Sequence, residues 1–152
     1  MSQSRTPPHL DETGRITRLL LKHPRDAFRS EQAIAREWED LRFTAPPSFD
    51  GAIAEYDAFA ALVASAGAES SWLRERGGAG LDSIYVRDAS VVSPDGVILC
   101  HMGKPQRAWE PAAQGEAFAA AGVPVAGTIR APGRLEGGDG ARVALSPENA
   151  RK

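Results

Sequence analysis

Short apolar segments of strand character alternate with segments of helical periodicity along this chain, and this alternation limits the fold more than any other feature. Residues 15–22 pass from alternating to continuous apolar character and stop before Pro24, which is typical of a strand that becomes buried. Residues 50–66 place apolar side chains on one helical face, and Gly67 follows as a C-cap. The alternation predicts a mixed α/β fold of repeating strand and helix units.

The other segments continue the same alternation. They are a helix that starts at the cap Ser30, strands at 68–73, 83–86, 89–92 and 97–100, a helix over 106–121 with Pro111 in its first turn, and a strand at 123–129. Pro94-Asp95-Gly96 is a turn signature, so the strands on either side of it are expected to form a hairpin. Residues 74–80 contain three glycines and predict a surface loop.

Composition and charge exclude several classes of function. The 152 residues carry 18 Lys and Arg against 20 Asp and Glu, and no basic stripe is interleaved with aromatic residues. Nothing in that pattern neutralises a phosphate backbone, so we expect no nucleic-acid partner. The longest apolar runs, such as 19–21 and 97–100, are far shorter than the ~20 residues of a spanning helix, so we expect no membrane association.

The sequence divides into three parts. Residues 1–14 are polar, contain Pro7-Pro8 and lack the apolar core of a signal peptide, so they predict a flexible leader. Residues 15–139 hold all the periodic segments and form the folded part, whereas residues 140–152 predict a disordered or non-native-like tail. The single cysteine, Cys100, cannot form an internal disulfide, which favours a reducing, cytoplasmic location.

The first group of candidate functional residues is the segment Asp82-Ser83-Ile84-Tyr85-Val86-Arg87-Asp88. On an extended strand, Asp82 and Asp88 share one face. Two carboxylates on one face can grip a cation, and a guanidinium fits best because its fork matches a carboxylate bidentately. The alternative is structural: Asp82 caps the strand, and Arg87 and Asp88 are a solvated pair at its rim.

Two further groups follow along the chain. Arg107 opens a helix after Met102-Gly103-Lys104-Pro105-Gln106, where the positive end of the helix dipole favours a substrate carboxylate; a surface arginine on a turn is the alternative. In Gly133-Arg134-Leu135-Glu136-Gly137-Gly138-Asp139 the glycines let the backbone approach a ligand, and Glu136 can point at it. An ordinary turn has the same composition.

The neighbouring Cys100 and His101 suggest a nucleophile with its base. Adjacent residues on a strand point to opposite faces, so we expect that His101 does not reach the sulfur and that Cys100 is a buried apolar filler. His9 and His23 have no other metal-ligand residues at suitable spacing. The sequence therefore predicts no metal site, and we expect no cofactor.

Taken in order, the three groups resemble motifs of the guanidino-group-modifying enzymes, which include dimethylarginine dimethylaminohydrolase, arginine deiminase and the amidinotransferases. The first strand with Lys22-His23-Pro24 is also similar, and the resemblance extends from about Arg15 to Asp139. It implies a partial pentein fold, about half of a fivefold pseudosymmetric α/β propeller with the substrate in its central channel. It also implies activity on the guanidinium group of arginine or an arginine derivative, through a covalent cysteine thiouronium.

The resemblance assigns a role to each candidate residue. Asp88 would grip the substrate guanidinium, and Glu136 would pair with its other nitrogen and orient the catalytic histidine. Asp82 would lie at the amino-acid end of the substrate or support Asp88, and Arg107 would hold the substrate carboxylate. Carboxylates in a dry pocket match the charge of a guanidinium while its carbon stays open to sulfur.

The chain departs from the family after Asp139. The family's catalytic histidine and C-terminal cysteine would both follow this point, and Cys100 does not take the place of the nucleophile. The sequence therefore predicts a truncated or frame-shifted product that is inactive alone. One alternative is a non-catalytic module that binds guanidino ligands or pairs with another chain, with self-association through exposed strand edges. A small α/β domain unrelated to guanidines is the other.

Overall fold

The computed structural model describes residues 15–74 and 80–139. Short strands and helices alternate along both ranges, which confirms the mixed α/β organisation. The elements in chain order are β1 (Arg18–Leu21), α1 (Pro24–Ala27), α2 (Glu31–Glu37), α3 (Phe49–Ser65), β2 (Glu69–Trp72), β3 (Ser90–Ser93), β4 (Gly96–Leu99), α4 (Glu110–Ala120) and β5 (Val125–Thr128). Within the described residues, no helix combines the length and apolar character that crossing a membrane requires.

The first sheet consists of two parallel strands, β1 and β2, joined by a crossover that contains α1, α2 and α3. Leu21 lies opposite Trp72 at the end of the pair. Pro24 begins α1 directly after β1, because proline cannot donate to a strand ladder but suits the first turn of a helix. Ser48 caps α3 by accepting a hydrogen bond from the amide of Gly51 at 3.2 Å.

The second sheet has the strand order β3-β4-β5. Strands β3 and β4 are antiparallel with Ser93 opposite Gly96, which confirms the hairpin, and β5 returns parallel to β4 after α4. Gly96 has a φ of 140°, and a Cβ there would lie 2.3 Å from the carbonyl oxygen of Pro124. Only glycine lets β4 approach the start of β5 this closely.

Two buried clusters form the core. The first joins α1, α2 and the start of the second described range, and the second lies between β3 and the segments that follow β4. Their buried members are Ala27, Phe28, Ile34, Leu41 and Leu81 in the first cluster, and Ala89, Cys100 and Met102 in the second, with Val91 and Leu135 packed against it. Because Ala89 follows Asp88 and Leu135 precedes Glu136, the second cluster anchors the segments that carry both carboxylates.

The strand predicted at residues 83–86 is wrong. The structure forms two short 3₁₀ helices here, Leu81–Ile84 and Val86–Ala89. The amide of Tyr85 donates to the carbonyl of Asp82 at 3.0 Å, and the amide of Asp88 donates to the carbonyl of Tyr85 at 3.1 Å. These local bonds satisfy backbone groups that a strand would offer to a neighbour, so Asp82 and Asp88 do not share the face of a strand.

The remaining described segments agree with the sequence predictions to within a few residues at their ends. The predicted helix 106–121 begins as a 3₁₀ turn, Pro105–Arg107, and continues as α4 with Pro111 in its first turn. The leader 1–14, the tail 140–152 and most of the loop 74–80 lie outside the description. The three-part division of the chain therefore stays a prediction.

Candidate functional site

Three segments that are distant in sequence meet at the second core cluster: the 3₁₀ helix Val86–Ala89, the segment after β4, and the turn that ends at Asp139. A bridge between His101 and Leu135 joins the last two segments. A Cβ on Gly137 would lie 1.9 Å from the carbonyl oxygen of Arg87. This close approach requires glycine, and it places the Glu136 turn directly against the segment that carries Asp88.

Asp88 has one carboxylate oxygen engaged and the other directed at the Glu136 turn. Its Oδ2 accepts a hydrogen bond from Nη1 of Arg107 at 2.8 Å. Its Oδ1 lies 3.5 Å from the position that a Cβ on Gly138 would occupy. The side chain keeps 26% of its surface exposed, so Asp88 is accessible to a ligand.

Arg107 is buried, with 4% of its side-chain surface exposed. Its Nε and Nη2 donate to the two carboxylate oxygens of Glu110 at 2.9 and 2.8 Å, while Nη1 donates to Asp88. Burial would lower the pKa of Arg107, but the hydrogen bonds and charges of the two carboxylates raise it overall. The guanidinium therefore stays charged and is held between two of the protein's own acids.

Glu110 occupies a buried position at the start of α4. Burial raises the pKa of its carboxyl, and the hydrogen bonds and charge of Arg107 act in the opposite direction. The sequence motifs did not point to this residue. The signal was nevertheless present, because Arg107 and Glu110 are three residues apart, a spacing that brings side chains together on a helical turn.

Glu136 is held by the backbone of Gly103 and by Asp139 in its own turn. Its Oε1 accepts from the amide of Gly103 at 2.9 Å, and its own amide donates to Oδ2 of Asp139 at 3.2 Å. The amide of Asp139 donates in return to the carbonyl of Glu136 at 2.9 Å. The turn therefore fixes two carboxylates close to Asp88.

Asp82 lies in different surroundings. It is buried, and its Oδ2 accepts from Nζ of Lys104 at 2.5 Å. The same ammonium donates to the carbonyl of Leu41 at 3.0 Å. This lysine contact could not be predicted from the sequence, because the two residues are 22 positions apart and no local pattern joins them.

The thiol of Cys100 has a raised pKa. Burial raises the pKa of its thiol to about 11, and the negative charges of Glu136, Asp88 and Asp139 add to the effect in that order. A nucleophilic cysteine needs the opposite shift, so the thiol is an unreactive part of the core. The negative charges of the surrounding carboxylates therefore oppose formation of a thiolate at Cys100.

The described histidines are engaged in structural contacts. Nδ1 of His101 donates to the carbonyl of Gly133 at 2.5 Å. His23 caps α1 with Nδ1, which accepts from the amide of Arg25, and its Nε2 contacts Oδ1 of Asp57 at 3.0 Å. Within residues 15–74 and 80–139, no three His, Cys, Asp or Glu side chains are grouped to hold a metal ion.

Comparison with solved structures identifies the fold as the mixed α/β fold of pentein enzymes, although no family model and no curated protein matches the sequence. One match is a dimethylarginine dimethylaminohydrolase solved as an adduct with S-methyl-L-thiocitrulline. It has a TM-score of 0.67 and 18% identity, over 90% of this chain and 54% of that chain.

Two further matches extend the comparison. Dimethylarginine dimethylaminohydrolase from Pseudomonas aeruginosa, complexed with citrulline, has a TM-score of 0.65 and 18% identity over 82% of this chain and 46% of its own. AgrE, in a binary complex with L-arginine, has a TM-score of 0.61 and 17% identity, over 81% of this chain and 17% of that chain. The chain thus spans about half the length of the dimethylarginine dimethylaminohydrolase structures that it matches.

Proposed function

We propose that this chain is the substrate-binding half of a guanidino-modifying pentein enzyme, about half of the fivefold ring, and that it binds the guanidinium of arginine or an arginine derivative. The observation that carries the proposal is the contact of the Glu136 turn with the segment of Asp88: a Cβ on Gly138 would lie 3.5 Å from Oδ1 of Asp88, and the amide of Glu136 donates to Oδ2 of Asp139. Carboxylates on two adjoining segments favour a cation. A planar cation with several N–H donors matches them better than a compact ammonium does.

Asp88 and Glu136 are the two proposed contacts with the guanidinium. Oδ2 of Asp88 is engaged by Arg107, so Oδ1 is the oxygen that a ligand would meet, and Glu136 retains Oε2 beside the oxygen that holds Gly103. Each charge-assisted hydrogen bond of this kind contributes about 1.5–3 kcal/mol. Two anchored carboxylates would therefore fix both the position and the plane of the guanidinium.

The hydrogen-bond partners of Arg107 and Asp82 decide the roles that we propose for them. Because Arg107 directs its donors at Glu110 and Asp88, we assign it the task of positioning Asp88, in place of holding the substrate carboxylate. Asp82 keeps its proposed place at the amino-acid end of the ligand, with Lys104 fixing the orientation of its carboxylate.

The chemistry of the guanidino-modifying enzymes requires a cysteine thiolate as nucleophile and a histidine as acid and base. We propose that Cys100 is not this nucleophile and that His101 is not this acid and base. The raised pKa keeps the Cys100 sulfur protonated. The ring of His101 is directed at the carbonyl of Gly133. Glu136 would orient a histidine that belongs to the other half of the ring. The chain alone is thus expected to bind its ligand without converting it.

The decisive experiment measures binding of L-arginine by isothermal titration calorimetry. Asp88→Asn keeps the shape of the side chain and an acceptor for Arg107, and it is expected to weaken binding at least tenfold. The matched control is Asp95→Asn in the exposed turn of the hairpin, which should bind as the unmodified protein does. Equal affinities of the two variants, or no binding of arginine by the unmodified chain, would overturn the proposal.

A second candidate function is an assembly module that pairs with another copy. Its support is the apolar surface of the described residues, where Leu62 and Phe59 of α3 and Val125 of the edge strand β5 are exposed. Light scattering over a concentration series tests the assembly function. A concentration-dependent dimer that Leu62→Lys dissociates supports assembly, and a monomer at all concentrations contradicts it.

A further inference from the structure

Glu110 meets Arg107 on the side opposite Asp88, and this arrangement has a consequence for the proposed ligand site. Glu110 receives two hydrogen bonds from the guanidinium and Asp88 receives one. The two-point contact fixes the plane of the guanidinium, since both ends of a fork cannot rotate independently. Nη1 is then aimed in one direction, and that direction leads to Oδ2 of Asp88.

The charges of the three residues matter as much as their geometry. A single arginine beside a single aspartate would cancel the negative charge that a cationic ligand needs. With the carboxylate of Glu110 on its other side, the positive charge of Arg107 is shared between two acids, and the group of three keeps one net negative charge. Burial of Arg107 and Glu110 strengthens this interaction, because few water dipoles screen it.

We infer that Glu110 is a positioning residue of the guanidinium site: it holds and neutralises Arg107, so that Asp88 presents Oδ1 with its charge intact. The inference rests on the proposed function and adds a residue to which the sequence resemblance gives no role. Glu110 does not contact the ligand in this arrangement, and it acts only through Arg107.

The alternative is a purely structural role, in which Glu110 only satisfies a buried arginine. The two roles predict different losses of affinity for charged and neutral ligands. A structural defect weakens every ligand of the site to a similar degree. Loss of charge compensation weakens a cationic ligand much more than a neutral ligand of the same shape, because only the cation responds to the net charge of the three residues.

The test compares L-arginine with L-citrulline, which carries a neutral ureido group in place of the guanidinium. Glu110→Gln preserves size and removes the charge, and Glu116→Gln on the exposed part of the same helix is the matched control. We expect Glu110→Gln to weaken arginine about tenfold, to change citrulline less than threefold, and to leave both unchanged in the control. Equal losses for the two ligands would overturn the inference.

A ligand-free measurement separates failure of this inference from failure of the proposed function. In ¹⁵N spectra, the buried Nε–H of Arg107 should exchange slowly in the unmodified protein and in Glu116→Gln, and at least tenfold faster in Glu110→Gln. If arginine and citrulline both fail to bind, the proposed function is wrong, and an unchanged Arg107 signal in Glu110→Gln then also contradicts the positioning role.

A third variant covers the case in which Glu110→Gln does not fold. Glu110→Asp keeps the negative charge on a side chain one methylene shorter. If charge compensation is the role of Glu110, this variant retains the preference for arginine over citrulline even where both affinities fall. Loss of that preference in a folded Glu110→Asp protein would contradict the inference.

Discussion

Arg107 and Glu110 form a buried ion pair with two parallel hydrogen bonds, at 2.9 and 2.8 Å, between the 3₁₀ turn Pro105–Arg107 and the first residue of α4. The two side chains keep only 4% and 5% of their surface exposed. A pair of this kind is expensive to break from one side, because the remaining charge is left buried without its counterion. Removal of one residue alone is therefore expected to destabilise the fold more than removal of both.

The first prediction concerns this pair. Arg107→Met should lower the free energy of unfolding by about 3–5 kcal/mol, because it leaves the charge of Glu110 uncompensated. Arg107→Met combined with Glu110→Met removes both charges and should recover at least half of that loss. Urea denaturation followed by circular dichroism measures both values. A double variant that is at least as unstable as Arg107→Met alone would contradict this view of the pair.

The second prediction concerns pH. The pKa of the Cys100 thiol rises from 9.0 to about 11 in the folded chain, whereas the unfolded chain titrates near the lower value. The folded state thus holds its proton more tightly, and this contribution to stability is complete below about pH 9 and is lost as the pH rises toward 11. Cys100→Ala should show a smaller loss of unfolding free energy between pH 8 and pH 11 than the unmodified protein.

The same shift makes the thiol unreactive. At pH 8 the native protein should react with iodoacetamide much more slowly than the urea-unfolded protein, since alkylation needs the thiolate. Asp88→Asn combined with Glu136→Gln removes two of the charges that hold the proton and should accelerate the native reaction. An alkylation rate in the native protein equal to that of a free thiol would show that Cys100 is neither buried nor protonated as described.

The third prediction concerns Gly137. A Cβ at this position would lie 1.9 Å from the carbonyl oxygen of Arg87, so Gly137→Ala must move the Glu136 turn. The expected cost is about 1–3 kcal/mol in the free energy of unfolding, together with loss of arginine binding. Gly127→Ala in β5 is the matched control, because no atom lies within 4 Å of its added Cβ. Equal effects of the two substitutions would contradict the close approach.

The fourth prediction compares two serines. Among the described residues, the buried hydroxyl of Ser83 has no hydrogen-bond partner, whereas the hydroxyl of Ser90 donates to Oε1 of Gln114 at 2.7 Å. Ser90→Ala should therefore cost about 1 kcal/mol, and Ser83→Ala should be neutral or stabilising. Thermal unfolding of the two variants gives the order, and a larger loss for Ser83→Ala would show that its hydroxyl is engaged.

The sequence predicts elements that depend on local patterns and misses those that depend on distant contacts. The helix α3 and the β3–β4 hairpin follow from periodicity and from turn residues that act over a few positions. The segment 83–86 has β-branched and aromatic residues, yet it forms 3₁₀ helices. Strand propensity describes how a side chain fits a pleated surface, and here no neighbouring strand offers that surface within the described residues.

The candidate site shows the same division. The sequence places Asp88, Arg107 and Glu136 in suggestive motifs, and the structure joins Arg107 to Asp88 and packs the Glu136 turn against the segment of Asp88. The sequence does not reveal the direction of the Arg107 side chain, because tertiary packing decides that this side chain is buried against Glu110. The contact between Lys104 and Asp82 is beyond sequence reasoning for the same reason.

The contact between Gly137 and Arg87 also says how this site can change over evolutionary time. Exchange of a carboxylate changes only a side chain and its hydrogen bonds, and it leaves the backbone that carries the side chain in place. The glycine has no such freedom, because every other residue would separate the two segments that the site needs together. Homologous chains that keep this backbone contact are therefore expected to keep a glycine here even where the neighbouring acids differ.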